Sequence, residues 1–119
     1  MTPPVLRIAD PDRLYKLVTD ASDIVVGAML LQDFCEGMQP IAYDSRKLQS
    51  AERNYLFHDK EMLAIVKAFK TWRCYLSGAD VTVRTYHNSL LFLRAQPTLN
   101  PRQIRWLEYL ESNFHYRIT

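Results

Sequence analysis

A change of hydrophobic rhythm near the middle of the chain does most to limit its fold. Glu61, Ile65, Ala68, Trp72 and Leu76 are spaced by 4, 3, 4 and 4, which places them on one stripe of a helix. Gly78 follows, where a helix-terminating glycine belongs. Before this stripe the pattern is that of strands. Leu14 to Asp20 is β-prone and closes on the turn signal Asp20-Ala21-Ser22-Asp23. Ile24 to Gln32 resumes the apolar character, and the polar segment Asp33 to Gln39, with Gly37 inside it, leads to Pro40 to Arg46. These three runs read as an antiparallel meander. After the helix, Val81 to Thr85 is a short β-branched strand, the pattern of a parallel crossover back beside the first strand. Leu90 to Leu93 suggests a short helix, Pro101 opens another through Leu110, and Phe114 to Thr119 reads as a final strand. Periodicity alone specifies a mixed α/β domain.

The chain has 119 residues, enough for one domain, 1–119, with Met1 to Arg13 as an entry segment. Its hydrophobic fraction of 48% and charged fraction of 24% point to a globular chain rather than a disordered or fibrous one. A net charge of +2 gives only a mild bias toward nucleic acid. Cys35 and Cys74 lack metal or redox spacing, so free, reduced, packing thiols and an intracellular setting are expected. The start carries no signal-peptide pattern, and no apolar run approaches the roughly 20 residues that span a bilayer.

Two acids stand out. Asp20 ends a largely apolar strand, where a carboxylate must be paired, hydrogen-bonded or bound to a cation. An ordinary turn residue would occupy the same place. Glu61 sits at the N-terminal end of the apolar stripe and should point toward the sheet. The competing reading is a glutamate favoured by the helix dipole, with Asp59 as the N-cap. No nucleophile elbow surrounds Ser22, Ser45 or Ser89, and three glycines do not make a phosphate-binding loop.

The segments Thr19-Asp20-Ala21-Ser22, Lys60-Glu61-Met62-Leu63-Ala64-Ile65 and Trp72-Arg73-Cys74-Tyr75-Leu76-Ser77-Gly78, with Tyr55 and Arg105-Trp106, occur in the order and rhythm of a known family. Over nearly its whole length the chain resembles the ribonuclease H domain of Ty3/gypsy-type retrotransposon polyproteins. The resemblance implies an α/β ribonuclease H-like fold, a five-stranded mixed sheet in the order βββαβααβ. It also implies an Mg²⁺- or Mn²⁺-dependent endoribonuclease that cuts the RNA strand of RNA/DNA hybrids. Four carboxylates hold two ions in that family. Asp20 and Glu61 match the first two. The third position, Thr-Asp-His in the family, is Thr85-Tyr86-His87 here, and the fourth lies beyond Thr119. A neutral phenol cannot replace a carboxylate on a hard cation at neutral pH. Compensation by Asp23 or Asp44 is the remaining route to an intact site.

Tyr86 lies on the Thr82 and Arg84 parity of its strand, and its ring is expected beside Asp20 and Glu61. His58, Lys60 and His87 are the substrate-binding candidates implied by position. Each also reads as an ordinary surface residue, and His115 as an outward strand residue. Basic residues are scattered, so contact with a hybrid or other nucleic acid should be weak and salt-sensitive. Tyr43, Tyr55, Trp72, Tyr75, Trp106 and Tyr109 read mostly as packing aromatics. The expected function is a catalytically impaired ribonuclease H-like domain acting as a binding or structural module, with weak or absent metal binding. The alternatives are an active hybrid-specific endoribonuclease within a reverse transcriptase polyprotein, and a domain taken over for a protein partner through its sheet edge.

Overall fold

Alternation of buried and open positions along β1 (Tyr15–Ala21) and β4 (Asp80–Arg84) defines the two faces of the sheet. Tyr15, Leu17, Thr19, Val81 and Val83 are buried, whereas Lys16, Val18 and Thr82 are half-buried and Asp20 and Arg84 exposed. The computed structural model describes residues 8–34, 37–85 and 89–118, without the side chains of 89–91. β2 (Val25–Phe34), β3 (Gly37–Lys47) and β5 (His115–Ile118) complete a five-stranded sheet in the order β3-β2-β1-β4-β5. β1, β2 and β3 pair antiparallel, while β1 with β4 and β4 with β5 are parallel. The mixed sheet is therefore as the sequence suggests. The polar segment before Pro40 is largely absorbed into β2 and β3, and Gly37 opens β3 at φ 105°.

A bulge separates the Leu30↔Ala42 and Leu31↔Pro40 pairs, leaving Ile41 as the extra residue, buried in the core. Pro40 is tolerated because β3 is an edge strand.

The long helix of the sequence reading is two helices: α1 (Phe57–Thr71) and the single turn α2 (Arg73–Leu76). Trp72, at φ −107° and ψ 31°, leaves the helical region between them, with its ring buried. Gly78, at φ 78°, stands just past the C-cap Ser77 in the left-handed conformation that ends a helix cheaply only at glycine. α3 (Ser89–Arg94) and α4 (Pro101–Asn113) follow, with Pro101 in the first turn and a capping box between Asn100 and Gln103.

α1 is buried without interruption from Asp59 to Val66, because β1 and β2 lie under it and α3 and α4 flank it. The main core joins Leu17, Leu30, Met62, Ile65, Phe69, Leu76, Val83 and Leu110. A smaller cluster of Val26, Leu48, Leu63 and Ala64 packs with Ala21, Tyr55 and Trp106. Among the expected packing aromatics Trp72 is buried and Tyr55, Trp106 and Tyr109 are half-buried. Tyr43 and Tyr75 are exposed instead, one on an edge strand and one on the outer side of α2. Cys74 is free and exposed rather than packed. Cys35 lies outside the described residues. Among the described residues no helix is long and apolar enough to cross a membrane.

Candidate functional site

The turn after β1 is closed by Ser22, not by Asp20. The Ser22 amide donates to the Val25 carbonyl at 2.8 Å, and its hydroxyl donates to that carbonyl and accepts from the Val25 amide, both at 3.1 Å. Asp20 sits one residue from the end of β1, opposite Gly27, and its Oδ1 accepts from the adjacent Ala21 amide at 2.9 Å. Its side chain is exposed, so the carboxylate is left for solvent or a ligand.

Glu61, the fifth residue of α1, is 1% exposed. Burial of this depth is costly for a carboxylate outside a compensating environment. The expected N-cap role of Asp59 is not realised. Leu56 is the N-cap, with no side-chain cap, and Asp59 lies two residues into the helix, turned toward α4.

Two observations bring the acids to the same end of the domain. Lys60, next to Glu61, sends Nζ to the Asp23 carbonyl at 3.4 Å and lies 3.8 Å from the Asp23 carboxylate, so α1 is tied to the turn three residues past Asp20. Ala21, next to Asp20, packs in the small cluster with Leu63 and Ala64 of α1. The Thr19 hydroxyl lies buried beside them with no hydrogen-bond partner among the described residues. His58 is stacked on Phe92 of α3, ring centroids 4.0 Å apart at 15°, and meets Phe57 edge-on. Tyr86 and His87 lie outside the described residues, so their expected placement beside the acids is not part of this geometry. Asp44 faces the middle of α1, beside Ala64 and Lys67, and Asp23 is engaged by Lys60.

Asp20 and Glu61 are hard oxygen donors of the type that Mg²⁺ or Mn²⁺ takes, and two such donors suit one ion completed by waters. Among the described residues no three His, Cys, Asp or Glu gather as a metal-holding group. An open depression of about 500 Å³ lies elsewhere, between Leu14, Lys16, Met38, Thr82 and Arg84. It borders the start of β1 rather than its acid end.

Sequence reasoning missed the partners of Asp59. Arg102 Nη2 donates to Asp59 Oδ2 at 2.7 Å and Gln103 Nε2 donates to Oδ1 at 2.8 Å. The spacing of Asn100 and Gln103 signals the capping box that fixes this turn of α4, but no local pattern couples it to a residue 43 positions earlier.

Comparison with known proteins agrees with this layout. Residues 10–114 match the RNase H-like domain found in reverse transcriptase. The chain is 38% identical over 123 aligned positions to the Transposon Tf2-3 polyprotein of Schizosaccharomyces pombe, with 99% of this chain and 9% of that protein covered. The chain thus spans about a tenth of the length of the curated relatives it matches. Among solved structures, the foamy viral protease-reverse transcriptase in complex with RNA/DNA hybrid superposes with a TM-score of 0.76 at 24% identity. That match covers 94% of this chain and 16% of that one. RNase H1 from Halobacterium salinarum superposes with a TM-score of 0.56 at 16% identity over 89% of this chain and 83% of its own. Both likenesses are of fold.

Proposed function

The chain belongs to the ribonuclease H-like domains of retrotransposon reverse transcriptases, and we propose that its hybrid-cutting centre is impaired and that it serves as a binding or structural module. One observation carries the reading: where the family has its third acid this chain has Tyr86, and among the described residues no third acid joins Asp20 and Glu61. A divalent ion, when bound, would supply Lewis-acid stabilisation of a phosphate oxygen. Asp20 and Glu61 would hold it, Asp20 from the exposed end of β1 and Glu61 from the buried flank of α1. A single ion held by two carboxylates lacks the second charge needed to stabilise attacking and leaving oxygens together. Contact with a hybrid then rests on phosphate attraction by exposed cations, such as Arg84 and Arg117, and is weak and salt-sensitive. The foamy viral relative was solved on RNA/DNA hybrid, which makes the same ligand class the first to try here.

The test is cleavage of a labelled RNA/DNA hybrid in Mg²⁺ or Mn²⁺. The wild-type chain should cut no faster than Asp20→Asn. Robust cutting that Asp20→Asn abolishes would overturn the proposal in favour of a working endoribonuclease.

A further inference from the structure

One closed polar cluster joins the start of α1 to the start of α4. Asp59, 3% exposed, commits one carboxylate oxygen to Arg102 and the other to Gln103. Gln103 is also half of the α4 capping box: its Oε1 accepts from the Asn100 amide at 3.0 Å, and its own amide donates to Asn100 Oδ1 at 2.9 Å. A single side-chain amide therefore closes the first turn of α4 and grips α1. The Arg102 guanidinium lies 3.9 Å from the centroid of the Tyr55 ring and 5.5 Å from that of Trp106, and the two rings meet edge-on at 6.1 Å. Tyr55 and Trp106 also pack on the cluster of Val26, Leu48, Leu63 and Ala64, as Ala21 does. The same group of residues thus holds the helix that carries Glu61 and shares a small apolar cluster with the neighbour of Asp20.

We propose that Asp59, Arg102 and Gln103 are positioning residues, and that the first turn of α4 sets where the Glu61 carboxylate stands relative to Asp20. The inference rests on the reading that Asp20 and Glu61 are the surviving metal-holding acids. α1 begins on an apolar N-cap with no side-chain cap, so its first turn has no internal anchor of that kind. Asp59 is only two residues before Glu61, and its two bonds restrain both rotation and sliding of α1. The planar fork of Arg102, packed over Tyr55, makes this restraint directional, which a point charge would not.

A Mn²⁺ titration followed by paramagnetic broadening of amide signals tests it, with Mn²⁺ alone as the probe. Broadening should centre on Asp20 and Glu61 in the wild-type chain. Arg102→Ala should weaken the apparent Mn²⁺ affinity about tenfold, as loss of an outer positioning group typically does. Arg102→Lys should fall between, because the charge stays and the fork is lost. Arg94→Ala, which breaks the exposed pair with Glu111, should lower stability slightly at most and leave the affinity unchanged. Equal affinity in the wild-type chain and in Arg102→Lys and Arg102→Ala overturns the positioning role alone. A loss of affinity in Arg94→Ala as large as in the Arg102 variants also overturns it, since general loosening would then explain both. If Arg102→Ala fails to fold, Arg102→Lys decides. Absence of broadening around Asp20 and Glu61 in the wild-type chain removes the metal-site reading itself, and the positioning role with it.

Discussion

Gln32 is fully buried in β2, between Leu30 and Phe34, yet it packs as a piece of backbone rather than as a hydrophobe. Its Oε1 accepts from the Asp10 amide at 2.8 Å, and its Nε2 donates to the carbonyls of Asp10 at 2.7 Å and Arg13 at 3.2 Å. The side-chain amide thereby stands in for one residue of an extra strand and fastens the segment before β1. Arg13 adds a bond to the Asp33 carbonyl at 2.8 Å and lies over the Phe34 ring. Replacing Gln32 with Leu keeps a similar volume and removes all three bonds. Each is worth about 0.5–1.5 kcal/mol net, and Asp10 is half-exposed enough to find water, so the local stability of residues 10–13 should fall by about 2–3 kcal/mol. Hydrogen exchange reads this directly: protection of the Asp10 amide should drop by about 30- to 150-fold, while that of α1 changes little. Unchanged protection at Asp10, or an equal loss across the sheet, would refute the latch.

Other outcomes follow from the same contacts. Phe69 is fully buried, with ring centroids 4.6 Å from Phe114 and 5.8 Å from Tyr116, so Phe69→Ala should cost about 3–5 kcal/mol in urea unfolding at unchanged m; a loss below about 1 kcal/mol would contradict the core assignment. Burial raises the Tyr116 hydroxyl to about 12, with its bond to Glu111 adding to the rise and Arg94 opposing it. Its folded value lies above the ordinary value of 10.0, so its contribution is complete below pH 10 and is lost as pH climbs to about 12. Tyr116→Phe should flatten that part of the alkaline decline in urea-measured stability, and Tyr15, also raised by burial, should account for some of what remains. In gel shifts on an RNA/DNA hybrid at low salt, Arg84→Ala and Arg117→Ala should each weaken binding and lower the salt slope by about one; salt-independent binding would argue against phosphate contacts.

What the sequence disclosed depends on how local the determining contact is. Gly78 and Pro101 act within one turn, and both stand where their chemistry suggests. The alternation of Val81 and Val83 with Thr82 and Arg84 is likewise intrinsic to a strand with one buried face. The break at Trp72 is not legible, because no proline or glycine marks it and the residue stays on the buried stripe. The N-cap reading of Asp59 rests on local sequence and yields to α4, which reaches the carboxylate from more than forty residues away. Lys60 reads in sequence as a phosphate contact or a solvated helix start, and its burial with Nζ toward the Asp23 carbonyl is again set by a residue far away in the chain. For the site, the residues alone leave Asp20 as readily a turn residue and Glu61 as readily a helix-dipole glutamate, and it is the family resemblance that singles them out; the contacts of their neighbours Ala21 and Lys60 bring both toward the β1–β2 turn. Tyr86 enters through its identity alone.

Crystals of the chain soaked in Mn²⁺, with anomalous scattering used to place the metal, test the impaired centre most directly. One partly occupied ion at most is expected beside Asp20 and Glu61. Two fully occupied ions, bridged by these carboxylates at a separation of about 3.5–4 Å, would contradict it.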